Sequence, residues 1–416
     1  DLFREAIRER WPGITVISNA LVGKRARTDW KDTHFNGKNS FFLNNCGKYE
    51  NIRSRHQWEN TFVGEFGNMQ APEARTMEAA IGEACFLTVV EQHPDMMNRI
   101  AYSPMLGHAG YTGPRLPLLL FNNHQVVPSP SYYMYRMFAE CRGEEVVHTT
   151  VDTYMRPNVT EGYASIYMFD NCYTFDNVRM NGNPIREGRT IGGGWDIPAP
   201  GNLQATPNRW NYILIGDSSA TDYRFEARIK RVKGGEPIQF RMRNNGLQGE
   251  QQDYICFMIG NGKASFFHQS GNVTDSLSAS SGFPFLNNTP YDVRIECLQD
   301  SIFCYVDGAL VQKGGMRAYP SLSSVATIDH TQGYLYLKVV NTTQHEEKTE
   351  LDIQGISVDN KVEIIELAGE MESSNTFDRP DRIKPQEKEV SFMMGIPKIY
   401  KFPPSSITIL KFKINT

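Results

Sequence analysis

Thr61-Phe62-Val63-Gly64-Glu65-Phe66-Gly67 is a short apolar run that ends on a carboxylate and a glycine. Thr, Phe and Val suit a buried strand, so Glu65 falls where a strand leaves the core, the position from which barrel enzymes present catalytic groups. Glu65 is therefore the candidate nucleophile. A glutamate beside glycines at a strand end is also an ordinary solvated turn residue, and the flanking sequence has to decide between the two.

Upstream, Leu2, Phe3, Ala6 and Ile7 recur at helical spacing, Trp11-Pro12-Gly13 stops that helix, and Ile14-Thr15-Val16-Ile17 reads as a strand. A second strand carries Asp32-Thr33-His34-Phe35, with a helix behind it over Phe41 to Tyr49. Downstream of Glu65, Thr76 is placed to cap a helix with Met77, Ala80, Ile81, Ala84 and Cys85 on one face, which makes Cys85 a core residue. A fourth strand spans Asn98 to Tyr102, and Pro130 to Ala139 gives a further helix. Strand and helix alternate in this way to about Arg142, the pattern of a parallel sheet. A closed eight-stranded barrel takes roughly 250 residues, so residues 1–145 are expected to form the second half of a (β/α)8 barrel whose first half precedes Asp1. A signal peptide would be lost with that first half, so none is expected to be visible.

Beyond Glu144 the period changes. Tyr223, Phe225, Ala227 and Ile229 alternate with Arg224, Glu226, Arg228 and Lys230, which describes a strand with one buried face. The same alternation returns over Ile238 to Arg243 and over Tyr291 to Ile295, and Asp307-Gly308 between two apolar runs is a two-residue hairpin signal. Residues 154–322 are expected to form a β-sandwich. Strands at Tyr334 to Val340, Thr349 to Ile353, Val362 to Leu367 and Ile407 to Ile414, with a loop holding Pro380, Pro385 and Pro397, predict a third, all-β unit over 323–416.

Composition narrows the function classes. Across 416 residues, 43 Lys and Arg face 47 Asp and Glu, a net charge of -4 that offers no basic surface for nucleic acid and suits a neutral substrate. The 19 Tyr and 23 Phe supply stacking platforms as well as cores, which makes sugar binding plausible. Cysteines 46, 85, 141, 172, 256, 297 and 304 show no C-x-x-C spacing, so no zinc or redox motif is indicated, and their odd number argues against a full disulfide framework. Glycosylation sequons begin at Asn158, Asn272, Asn287 and Asn341 and carry little weight alone. No apolar run reaches the ~18 residues of a membrane span.

Asp32-Thr33-His34-Phe35, Phe41-Phe42-Leu43-Asn44-Asn45 and Phe62-Val63-Gly64-Glu65-Phe66 closely resemble, in order and spacing, the second half of the barrel in α-L-arabinofuranosidases of glycoside hydrolase family 51. The resemblance continues through Ala79 to Leu87, Ala101 to Met105 and Pro130 to Tyr133, and resumes at Leu337 to Asn341, Ser374 to Pro380 and Phe402 to Thr408. It implies that Glu65 ends the seventh barrel strand and is the nucleophile of a retaining hydrolysis that releases terminal arabinofuranosyl units from arabinan or arabinoxylan. One carboxylate attacks the anomeric carbon while a second protonates the leaving oxygen and then activates water, the two lying about 5 to 5.5 Å apart. The family's acid/base glutamate follows an asparagine at the end of the fourth strand, upstream of anything in this chain. Glu59, Glu73 and Glu83 are nearby but match no motif, and none is assigned that role.

Two positions depart from the family pattern. Asn36 stands where a tyrosine typically supports the nucleophile; its amide still donates a hydrogen bond, with shorter reach. Arg115 or a neighbour replaces a tryptophan. His34 is either a substrate-side ligand or a core histidine bonded to backbone. The 154–322 segment resembles a concanavalin-like or laminin-G-like module, a jelly-roll of lectin type, in which Trp195, Trp210 and Tyr212 either stack on a sugar or fill the core. No cofactor or metal is expected, with calcium in the sandwich left open. The resemblance implies arabinose-containing plant polysaccharides as partners and an extracellular or periplasmic setting. The alternative is a non-catalytic carbohydrate-binding or scaffold protein with a relic half barrel.

Overall fold

Parallel pairing joins four strands early in the chain, β1 (Ile17–Ser18), β2 (Trp30–Gly37), β3 (Thr61–Asn68) and β4 (Met97–Tyr102), in the order β1-β2-β3-β4. The computed structural model describes residues 2–19, 29–46, 61–68, 74–94, 97–111, 116–205, 210–271, 273–393 and 396–415. Contacts divide the chain into two units, Asp1–Arg156 with Tyr319–Thr416, and Pro157–Ala318.

In the first unit, helices α1 (Leu2–Arg10), α2 (Asn39–Asn45), α3 (Met77–Gln92) and α4 (Pro130–Glu140) alternate with the parallel strands. The Thr76 hydroxyl caps α3 by accepting from the Ala79 N–H at 3.3 Å, as its position before the apolar run requires. Ser129 caps α4 in the same way, with Pro130 in the first turn where a missing N–H costs nothing. The expected first strand shrinks to Ile17–Ser18, and α1 leaves Leu2 and Phe3 exposed. The expected helix from Phe41 ends by Asn45, and residues 47–49 lie outside the described residues, as do Glu59, Glu73, Arg115 and Asn272.

An aromatic cluster seats the helices on the sheet. Phe66 of β3 lies 5.0 Å from Phe42 and 5.6 Å from Phe86 between ring centres, and Phe35 of β2 lies 5.7 Å from Phe86. Burying each such ring contributes on the order of 2 to 3 kcal/mol, so these residues fix which strand face meets the helices.

The tail forms a six-stranded sheet, in the order Gln386–Ser391, Val358–Ala368, Ser406–Ile414, Tyr334–Asn341, Leu322–Asp329 and Glu145–Val147. A ribbon pairs Glu347–Leu351 with Lys398–Phe402, and Val362, Ile364, Leu410, Phe412 and Phe402 are buried in one core. Gln386–Ser391 is a strand where the sequence predicts loop; it is an edge whose exposed Gln, Glu and Lys residues give no alternation to read.

Lys338 is buried within this unit, its Nζ 2.6 Å from both carboxylate oxygens of Glu91 on α3. Burial pushes the Glu91 carboxyl up and the Lys338 amine down, and each charge opposes the shift of the other. Lys338→Ala leaves Glu91 without its cation and is expected to cost about 2 to 3 kcal/mol, less than for a wholly buried pair because Glu91 keeps some water. Urea unfolding of Lys338→Ala against a Lys338→Ala/Glu91→Gln double variant checks this: the double variant should recover at least half the loss.

In the second unit two antiparallel sheets of eight strands each enclose a core containing Phe175, Phe225, Phe240, Phe257 and Ile295. Tyr223–Lys233 buries every second residue, as its alternation predicts. Asp307 and Gly308 turn the Ser301–Val306 and Ala309–Gly314 hairpin with φ of 50° and 80°, the left-handed pair that a tight primed turn demands.

Candidate active site

Successive strand residues point to opposite faces, and that alternation builds the site. Phe35 and Phe66 face the helices, so His34, Asn36 and Glu65 share the opposite face near the C-terminal ends of β2 and β3, with Asp32 two residues before His34. Register places His34 directly beside Glu65 and Asn36 beside Gly67.

The Asn36 amide donates to Glu65 Oε2 at 2.7 Å. Asn36 is 7% exposed, and its Oδ1 has no hydrogen-bond partner among the described residues. His34 lies between two carboxylates, Nε2 at 3.1 Å from Asp32 Oδ2 and Nδ1 at 3.7 Å from Glu65 Oε2. It is bonded to a side chain and 42% exposed, not a core histidine tied to backbone. Asp32 Oδ1 also accepts the Gly64 N–H at 2.9 Å. Asp32 thus orients the imidazole and pins β3 one residue before Glu65.

Both glycines of the run have steric reasons. A Cβ on Gly64 would lie 2.3 Å from Asp32 Oδ1. Gly67 has a φ of 138° and a Cβ there would lie 2.4 Å from the Tyr102 ring. The run therefore reads Gly-Glu-Phe-Gly because a carboxylate and a ring crowd its backbone.

Glu83 lies on α3, on the helix side of the sheet, and is fully buried. Its Oε1 accepts the Asn68 N–H at 2.5 Å, and burial pushes its carboxyl up to about 8 against the opposing pull of the Asn68 N–H and the Ser131 hydroxyl. It braces the end of β3 and does not face Glu65. Reading the residues alone assigns Asp32 no role and does not foresee this bracing, although Asp32-x-His34-x-Asn36 at period 2 carried the signal for a single polar face.

In the second unit, the Trp195 ring packs against the apolar core, 5.6 Å from Phe175. Tyr212 is buried and its hydroxyl accepts from Asn244 Nδ2 at 2.6 Å. Trp210 is half-buried at the start of Trp210–Ile215, and its ring lies where a Cβ on Gly192 would sit 1.9 Å away. Among the described residues no group of three or more His, Cys, Asp or Glu could hold a metal ion, and no helix is long and apolar enough to cross a membrane.

A family model described as the α-L-arabinofuranosidase C-terminal domain matches residues 56–406. The chain is 24% identical, over 99% of its own length and 52% of the relative's, to an extracellular exo-α-L-arabinofuranosidase of Streptomyces chartreusis. It is 26% identical over 37% of its length, and 25% of the relative's, to a probable α-L-arabinofuranosidase A of Aspergillus terreus. Among solved structures, an arabinose-bound GH51 α-L-arabinofuranosidase aligns over 99% of this chain and 42% of its own, with a TM-score of 0.52 and 14% identity. The arabinose complex of an α-L-arabinofuranosidase from Thermotoga maritima aligns over 99% of this chain and 60% of its own, with a TM-score of 0.50 and 11% identity. The chain thus spans about half the length of the Streptomyces relative.

Proposed function

This chain belongs to the α-L-arabinofuranosidase family of glycoside hydrolase family 51 as its C-terminal part, and on that premise we propose that it carries the nucleophile of a retaining exo-arabinofuranosidase. The observation that carries the reading is the Asn36–Glu65 hydrogen bond of 2.7 Å at the C-terminal end of a parallel sheet. An amide donor on one carboxylate oxygen fixes the orientation from which the carboxylate attacks.

In this reading 1–145 is the second half of the (β/α)8 barrel, 154–322 an inserted concanavalin-like sandwich and 323–416 the C-terminal sandwich. Glu65 attacks the anomeric carbon of a terminal α-L-arabinofuranosyl unit and forms a glycosyl ester. The acid/base carboxylate, about 5 to 5.5 Å away, comes from the other half of the barrel and both protonates the leaving oxygen and activates the water that hydrolyses the ester. His34 lies on the substrate side, and Asn36 acts there through the amide that holds Glu65. The substrates are arabinose-containing plant polysaccharides, arabinan or arabinoxylan, met outside the cell. Trp210, half-buried like Trp195 but without Trp195's packing against the apolar core, is the stacking ring of the sandwich.

The test is hydrolysis of 4-nitrophenyl α-L-arabinofuranoside followed by NMR. The full-length protein, with the barrel half preceding Asp1, should release arabinose whose first-formed anomer is α, whereas residues 1–416 alone should release none. A first-formed β anomer, or no release by the full-length protein, rejects a retaining arabinofuranosidase. Turnover by residues 1–416 alone rejects an acid/base group from elsewhere.

A further inference from the structure

Cys46 follows the last residue of α2 and Cys85 lies in the middle of α3, 39 positions later, yet their Sγ atoms are 2.8 Å apart. Sulfur atoms that merely touch stay at about 3.5 Å or more, and a disulfide holds them at about 2.05 Å. Both residues are buried, at 4% and 0% exposure, between helices whose Phe42 and Phe86 rings meet at 5.9 Å. Cys46 Sγ also lies 3.3 Å from the Phe42 carbonyl, so the two thiols face each other in an apolar space. None of the other five cysteines is brought to another sulfur in this way among the described residues.

We propose that Cys46 and Cys85 form a disulfide that pins α2 to α3 when the chain folds in an oxidising compartment. The inference rests on this sulfur geometry and is independent of any role for Glu65. Burial, and then the neighbouring Cys85, hold the Cys46 thiol well above its ordinary range, and both sulfurs are shut away from reagents once the helices have packed. Oxidation therefore belongs to folding, before α2 and α3 close. One thiolate attacks a sulfur of an oxidised dithiol reagent such as glutathione disulfide and expels one glutathione thiolate. The second thiolate then attacks the protein sulfur of that mixed disulfide and expels the other. Two protein thiols lose two protons and two electrons, and one glutathione disulfide becomes two glutathione thiols.

The experiment refolds the reduced full-length protein with a mixture of reduced and oxidised glutathione, alkylates it in guanidinium with iodoacetamide and maps the peptides by mass spectrometry. The expected result is one linked peptide pair carrying Cys46 and Cys85, and a thermal midpoint roughly 5 °C above that of the same protein refolded under excess reductant. Cys46→Ala and Cys85→Ala should each abolish the linked pair. Alkylation at both positions in the oxidised sample, or a linkage of Cys85 to any other cysteine, overturns the proposal. Should either variant fail to fold, the wild-type peptide map decides alone.

Discussion

Glu65→Gln in the full-length protein is expected to lower turnover of an aryl α-L-arabinofuranoside by at least about 1000-fold, since losing a nucleophile costs several powers of ten. The amide is nearly isosteric but cannot form the glycosyl ester. Little else should change. Glu65 is 28% exposed on the side chain, and Asn36 would still reach an amide oxygen at that position, so the fold loses neither a buried charge nor a cavity. The thermal midpoint should stay within about 2 °C of wild type, a change no larger than a surface substitution gives. Activity above about a tenth of wild type rejects the assignment. A variant that is both inactive and unfolded would instead mark Glu65 as structural, and circular dichroism alongside the assay separates the two outcomes.

The apolar run of β3 made Glu65 legible as a carboxylate where a strand leaves the core, and the resemblance alone brought in His34 and Asn36; the period 2 that puts both on one face with Asp32 was present in β2 and went unread. Thr76 and Asp307-Gly308 announced their cap and turn because each is a local choice of side chain or φ. What depends on distant partners was not legible. Nothing local in Gly64 or Gly67 says that Asp32 and Tyr102 crowd them. Nothing in Lys338, within the Tyr334–Asn341 strand, says that Glu91 waits 2.6 Å away. The Cys46 and Cys85 pair escaped for the same reason, since a count of seven scattered cysteines carries no information about which helices meet.

Glu83→Gln is expected to stabilise the protein at high pH and to leave it nearly unchanged at low pH. Glu83 is fully buried under the end of β3, and desolvation raises its carboxyl from 4.5 to about 8. A group whose folded pKa exceeds its unfolded value favours the folded state while protonated, so its support is complete below about pH 4.5 and is lost as pH rises through about 8. A tenfold change in proton affinity is worth about 1.4 kcal/mol, which puts the full loss on the order of 3 to 5 kcal/mol by pH 9. Glutamine is neutral throughout, and its oxygen can still accept the Asn68 N–H that Glu83 accepts at 2.5 Å. In urea titrations the two proteins should therefore lie within about 1 kcal/mol of each other at pH 5, diverge as pH rises to about 8 and keep that gap at pH 9, with the variant the more stable. Parallel stability curves across that range would mean that Glu83 is ionised in the folded protein at neutral pH. A loss of stability in the variant at pH 5 would instead show that the protonated carboxyl makes a hydrogen bond, as donor, that the amide cannot replace.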